Sequence, residues 1–319
     1  MNNTYSGTVE GVNDCVRLDR YVAENLKLLS RSQIKSRGME ATLNGKSVKF
    51  SRLVKSGDVI TLLWQPAAPL YLAPENIPLD ILYEDDRCVV VNKAQGMVVH
   101  PGAGNHSGTF ANALLWRNLN RPNGTQNSHV EGECQNDKLN YRNGIVHRLD
   151  KDTSGVIIAA YDNDSLAFLS GQFKEKTVRK RYLALAEGTP HSREGSLRTR
   201  LIRDPQDRQR FTAVQDNTGA KPQGKIAVTR FRVLKSWPDY SLLLLEPKTG
   251  RTHQLRVHLK YLGNPIVGDP IYNQKQGGTL MLHAMSLAIV IPGEAGQRVF
   301  KAPLPERFKK CILELNRRK

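Results

Sequence analysis

Nine short apolar segments dominate the chain from residue 81 onward: ILYED, CVVVNK, MVVH, GIVHRLD, GVIIAAY, KRYLALAEG, KIAVTRFRVL, YSLLLLEPK and LAIVIP. Each is bounded by Gly, Pro, Asn or Asp, the punctuation of short strands. Helical patterns are fewer, namely TFANALLWRNL, SLAFLSGQFKEK, THQLRVHLKYLG and PERFKKCILELNRR. Strands follow strands without the strict alternation with helices that a parallel sheet requires. The pattern predicts an α+β fold: a mixed, mainly antiparallel β-sheet flanked by helices and loops. No period of 20–50 residues recurs, which excludes solenoids and propellers.

A Pro-rich stretch, QPAAPLYLAPENIP at residues 65–78, separates this region from a small amino-terminal block. Its composition is that of a semi-rigid connector. Upstream, Leu18, Val22 and Leu26 recur every four residues and predict a helix over 18–28. Ser30 and Gln33 form a capping box at the start of a second helix. Asn44-Gly45 marks a hairpin, and Ser56-Gly57-Asp58 precedes the strand VITLLW. The expected organisation is a flexible stretch at 1–15, a small α/β domain at 16–64, a linker at 65–78 and a large domain at 79–319. Within the last, residues 117–143 are poor in apolar side chains and predict a mobile surface loop. His129 and Cys134 inside it are read as bystanders.

The chain carries 47 Lys and Arg against 30 Asp and Glu, a net charge of +17, which points to a polyanionic partner, nucleic acid first and an anionic membrane surface second. Residues 172–210 hold 11 basic and 5 acidic side chains and residues 298–319 hold 8 and 2, so the excess lies chiefly in the large domain. Such runs are solvated faces or phosphate tracks. No apolar stretch approaches the roughly 20 residues that span a bilayer, and the amino terminus lacks a signal-peptide pattern, so a cytoplasmic location is expected. Cys15, Cys88, Cys134 and Cys311 are scattered, without zinc or disulfide spacing. Neither a dinucleotide fingerprint nor a phosphate-binding loop is present. No metal and no cofactor are expected.

Between two apolar segments lies a dense polar loop, His147, Arg148, Asp150, Lys151, Asp152, Thr153 and Ser154. On chemistry alone it suits two roles equally, a functional loop displayed by a rigid scaffold or a hydrogen-bonded corner whose aspartates cap backbone amides. The run HRLD followed by DTSG resembles the signature loop of the RluA-type pseudouridine synthases. LYEDDRCVVVNKAQGMVVHPG, KRYLALAEG, EPKTGRTHQLRVHLKYLGNPIVGDPIY and LMLHAMSLAI resemble other blocks of that family in the same order. The run VVHPGAGN resembles the RluD-like branch, whose members modify large-subunit ribosomal RNA. Ala94 stands where the family usually has proline. The segment RLDRYVAENLKLLSRSQIKSRGMEATLNGKSVKFSRLVKSGDVITL is similar to the alpha-L type RNA-binding module, with Arg31 and Lys35 one turn apart on its second helix.

The resemblance implies an RNA isomerase and assigns roles. Asp150 becomes the catalytic carboxylate, as nucleophile or as base at the sugar. Arg256 pairs with it, and Tyr182 stacks on the uracil. Arg148 and His147 face the RNA, with Arg148 filling the vacated base stack. Leu282 supplies an apolar wall, and Arg31 and Lys35 grip RNA. Arg251, His253 and His258 are read as structural or RNA-contacting. Ribosomal RNA or a large-subunit precursor is the implied partner, bound by a monomer. A non-catalytic RNA-binding or ribosome-assembly factor explains the charge and the amino-terminal block equally well, but not the conjunction of Asp150, Tyr182 and Arg256.

Overall fold

The computed structural model describes all residues except 1, 13, 67–71, 103, 123–143, 208–209, 217–222, 274–277 and 318–319. The chain divides into two compact units, Met1–Tyr71 and Leu72–Lys319.

The first unit comprises strands β1 (Asn3–Thr8), β2 (Val16–Arg17), β3 (Glu40–Leu43), β4 (Lys46–Ser47), β5 (Leu53–Val54) and β6 (Val59–Trp64). Its helices are α1 (Leu18–Arg20), which widens into a π-helical turn over Tyr21–Asn25, and α2 (Arg31–Ser36). The strands form a sheet ordered β1-β6-β3-β4 and a separate β2-β5 pair. The helix expected over 18–28 thus ends at Asn25, and Lys27 takes a left-handed φ of 53°. Leu18 and Val22 are buried and Leu26 packs beside them, as the spacing requires. Ser30 caps α2 with Gln33 in the reciprocal box. Asn44 and Gly45 both adopt positive φ, 49° and 78°, the geometry of a type I′ hairpin turn. The expectation of a flexible stretch at 1–15 is corrected, because Asn3–Thr8 pairs antiparallel with β6 along its whole length. Its polar composition hides it, but Tyr5 packs on the unit's core.

The second unit is built on strands β7 (Ile81–Glu84), β8 (Cys88–Lys93), β9 (Ser154–Ala160), β10 (Arg179–Glu187), β11 (Glu194–Arg203), β12 (Phe211–Gln215), β13 (Lys225–Ser236), β14 (Tyr240–Pro247), β15 (Leu282–Val290) and β16 (Gln297–Lys301). Its helices are α3 (Phe110–Leu119), α4 (Asn163–Glu175), α5 (Gln254–Tyr261) and α6 (Glu306–Arg317). The sheet order is β12-β11-β13-β14-β10-β15-β9-β8-β7, with β16 paired to β15. Among the described strands every pairing is antiparallel except β9 with β15, which meet through two pairs, Ser154 with His283 and Gly155 with Ala284. Gly155 has φ 115°, and a Cβ there would lie 2.2 Å from the Ala284 carbonyl oxygen, so this approach requires glycine.

Two expected strands are absent. MVVH is irregular, and GIVHRLD contributes one bridge, Ile145 to Ala159, on the edge of β9 opposite β8. Conversely, β11, β12 and β16 are strands without an apolar run. In β11 a half-buried face alternates with charged residues. Residues 72–78 of the expected linker belong to the second unit. Leu72 packs in its core, Glu75 N donates to the Asn112 carbonyl at 3.1 Å, and Asn112 Nδ2 donates to the Ala73 carbonyl at 2.8 Å. Of the expected mobile loop, Arg117–Leu119 finishes α3, while 123–143, including His129 and Cys134, lies outside the described residues.

Candidate active site

The loop before β9 mixes buried and exposed side chains. Leu149 is buried, Arg148 is exposed, and the Asp150 side chain keeps 21% of its surface accessible. His147 turns inward, accepts the Ile158 N–H on Nε2 at 3.1 Å and stacks on Phe173 at 4.6 Å. Burial, assisted by the charge of Lys180, pushes its pKa down to about 3, so it is a neutral pin for the loop. Thr153 N donates to the Asp150 carbonyl at 3.1 Å and closes the turn.

A lysine supports this loop from behind. Lys93 ends β8, after three valines and Asn92, with its side chain fully buried. Its ammonium donates to the carbonyls of Ala94 (2.8 Å), Met97 (2.8 Å) and Lys151 (3.1 Å). Burial lowers its pKa to about 8, with Asp152 and Asp150 opposing the fall, so it remains largely protonated at neutral pH. Gly96 N adds a 2.9 Å bond to the Lys151 carbonyl, and Gln95 Nε2 binds the carbonyls of Asp152 and Leu280 at 3.0 and 3.1 Å. Residues 93–96 therefore fix the carbonyls of Lys151 and Asp152, next to Asp150. Lys93 is not among the residues expected at the site; its signal in the sequence is a cation closing a strand rich in valine.

Arg256 lies on α5, whose first six residues are all buried. Its Nε and Nη2 each donate to Asp269 at 2.7 Å, a bidentate pair, while Nη1 stands 3.6 Å from Asp150 Oδ2. Asp269 is fully buried and also accepts from the N–H groups of Ile271 (2.9 Å) and Tyr272 (3.0 Å). Burial pushes the Asp269 carboxyl up, but the bonds and charge of Arg256 outweigh it and hold the pKa below the usual range. Burial likewise opposes the charge on Arg256, and Asp269 with Asp150 more than restores it. Asp269 thus orients a charged guanidinium toward Asp150. The GDPIY segment containing Asp269 and Tyr272 gave no local sign of this role.

Tyr272 extends the arrangement. Its ring faces the Arg256 guanidinium at 5.2 Å. Its hydroxyl accepts the Phe211 N–H at 3.0 Å and lies 2.9 Å from His253 Nδ1. His253 starts α5 with a left-handed φ of 55°. Burial lowers its pKa, with Asp150 opposing and Arg256 and Arg148 adding to the fall.

Tyr182 lies on β10, opposite Ala284 of β15 and Leu245 of β14. Burial and then the charge of Asp150 raise its phenol pKa, so the hydroxyl stays neutral. Arg148 makes no ion pair or side-chain hydrogen bond among the described residues, which leaves an exposed guanidinium two residues from Asp150. Asp150, Arg256, Tyr182 and Arg148 are thus brought together, whereas His147 is occupied inside the fold. Leu282 is buried in the core. Arg31 belongs to the first unit, where it pairs with Asp19 at 2.9 Å, and Lys35 is exposed on the same helix. No group of three His, Cys, Asp or Glu that could hold a metal occurs among the described residues.

A family model described as RNA pseudouridylate synthase matches residues 87–261. The chain is 40% identical over 310 residues to a protein named ribosomal large subunit pseudouridine synthase D from Borreliella burgdorferi, covering 92% of this chain and 88% of that one. It is 35% identical to a protein of the same name from Zymomonas mobilis, over 91% of this chain and 90% of that one. The solved structure of human RNA pseudouridylate synthase domain containing 4 shares the fold, with a TM-score of 0.58, 24% identity, and coverage of 74% of this chain and 93% of that one.

Proposed function

The chain belongs to the RNA pseudouridylate synthase family, and from that premise we propose that it converts uridines of large-subunit ribosomal RNA to pseudouridine through Asp150. The reaction breaks the N1–C1′ bond, turns the uracil and joins C5 to C1′. C5 loses a proton and N1 gains one, so no redox partner or external group is consumed. Asp150 acts at the sugar, as nucleophile on C1′ or as base; either role needs an ionised carboxylate beside the substrate.

One observation carries this assignment: Arg256 Nη1 lies 3.6 Å from a partly accessible Asp150 while Asp269 holds the rest of the guanidinium. The guanidinium supplies positive charge beside the carboxylate without enclosing it. A uridine within folded RNA must leave its stack, at a cost of a few kcal/mol. Tyr182 is assigned to receive the uracil on its ring, and the flat guanidinium of Arg148 to occupy the vacated stack. We assign the first unit, with Arg31 and Lys35, to RNA binding as an alpha-L type module. Leu282 is assigned to the support of the pocket wall. The ribosomal target rests on the names of the two bacterial relatives, and we place the enzyme in the cytoplasm as a monomer. No helix among the described residues is long and apolar enough to cross a membrane.

The test is tritium release from RNA labelled at uridine C5, supplied as large-subunit, small-subunit or transfer RNA. Release from large-subunit RNA is expected. Release from transfer RNA alone would replace the substrate, and binding of all three without release would return the chain to a non-catalytic RNA-binding role.

A further inference from the structure

The parallel pairing of β9 with β15 is a seam in the sheet, closed by two residue pairs. Its two sides carry the two groups assigned to the chemistry. Ser154, which opens β9, follows Asp150 by four residues. On the other side, Ala284 of β15 lies opposite Tyr182 of β10. The width of the seam therefore bears on the separation of carboxylate and phenol.

Arg307, in the first turn of α6, reaches this seam. Its Nη2 donates to Ser154 Oγ at 2.6 Å and to the Leu282 carbonyl at 3.3 Å, so one nitrogen binds both strands. Ser154 Oγ is also 2.8 Å from His283 Nδ1. Burial holds His283 neutral, with a pKa lowered to about 4, so one proton joins Ser154 Oγ and His283 Nδ1 in this bond. The contacts from Arg307 to Ser154 to His283 thus cross from α6 to β9 to β15.

The guanidinium is placed there at a cost. It forms no ion pair among the described residues, its Nε is buried without a hydrogen-bond partner, and burial disfavours its charge. A cation serving only the stability of α6 would be expected at the surface or beside a carboxylate. We infer that Arg307 is a positioning residue that clamps β9 to β15 through Ser154 Oγ and the Leu282 carbonyl, and so sets the placement of Asp150 relative to Tyr182. The inference rests on the proposed roles of those two residues.

The experiment measures kcat and KM for tritium release, with melting temperature, for the native chain, Arg307→Met, Arg307→Lys and Ser154→Ala. Misplacing a reacting group by about 1 Å costs up to about a hundredfold, so Arg307→Met should lower kcat about tenfold or more with KM changed less than about twofold. Arg307→Lys, which keeps a charged donor, should restore part of that loss. A folded Arg307→Met with native kcat overturns the inference, and so does a raised KM at native kcat, which would mark an RNA contact. If Arg307→Met does not fold, Ser154→Ala decides, since it removes the shared hydroxyl and leaves the arginine in place. A lowered kcat supports the clamp and a native kcat overturns it. A native chain that releases no tritium from any RNA overturns the proposed function itself, and the inference with it.

Discussion

Arg256 holds Asp269 with two 2.7 Å hydrogen bonds, and this pairing leaves its third nitrogen 3.6 Å from Asp150. A guanidinium free to rotate could form a bidentate pair with Asp150 and occupy both of its oxygens. Committed to Asp269, it supplies charge and leaves the carboxylate accessible.

Asp269→Asn should therefore damage catalysis although it does not reach the substrate. The amide keeps one acceptor and turns a donor toward Arg256. Breaking one partner of a buried pair costs about 3–5 kcal/mol. Urea unfolding should show a loss of that order, and tritium release should show a lowered kcat at nearly unchanged KM.

Lys93→Met should leave the carbonyls of Ala94, Met97 and Lys151 without their shared donor. At about 1–3 kcal/mol per buried unsatisfied group, partly relieved by water, a stability loss of roughly 3 kcal/mol is expected by denaturant titration. Because Lys151 adjoins Asp150, kcat should fall as well.

For Tyr182, ring and hydroxyl can be separated. Tyr182→Phe keeps the stacking face, and Tyr182→Ala removes it. RNA binding measured by filter retention should be close to native for the phenylalanine variant and weaker for the alanine variant. Base–aromatic stacking is worth about 1–3 kcal/mol. A lowered kcat in Tyr182→Phe at native affinity would assign the hydroxyl to proton transfer.

Acid should destabilise the second unit through His258. This side chain is fully buried between Thr199 and Thr229, and burial lowers its pKa from 6.5 to about 4. The unfolded chain binds the proton first as pH falls, so the stabilisation is complete above pH 6.5 and is lost toward pH 4. By linkage this is about 2 kcal/mol between pH 7 and 5. His258→Gln should lose that part of the slope when unfolding free energies at the two pH values are compared.

The polar loop at 147–154 was legible because its residues are contiguous, and Tyr182 and Arg256 because their surrounding blocks resemble family motifs. Lys93 and Asp269 were not, because each acquires its role from groups distant in the chain. Lys93 meets the carbonyl of Lys151, and Asp269 meets a guanidinium on another element. His147 reads as a functional histidine in sequence, yet the Ile158 N–H and the Phe173 ring occupy it. The same distinction runs through the fold. Apolar strands such as β8, β9 and β14 announce themselves. The charged strand β11 does not, and MVVH is apolar yet finds no strand partner.

The central claim is that the Asp150 carboxylate performs the isomerisation. Tritium release from ribosomal RNA labelled at uridine C5, compared between the native chain and Asp150→Asn, tests it most directly, because the amide keeps the size of the side chain and removes its charge. A loss of roughly a thousandfold or more in rate is expected, with RNA binding retained. Release by Asp150→Asn at the native rate would contradict it.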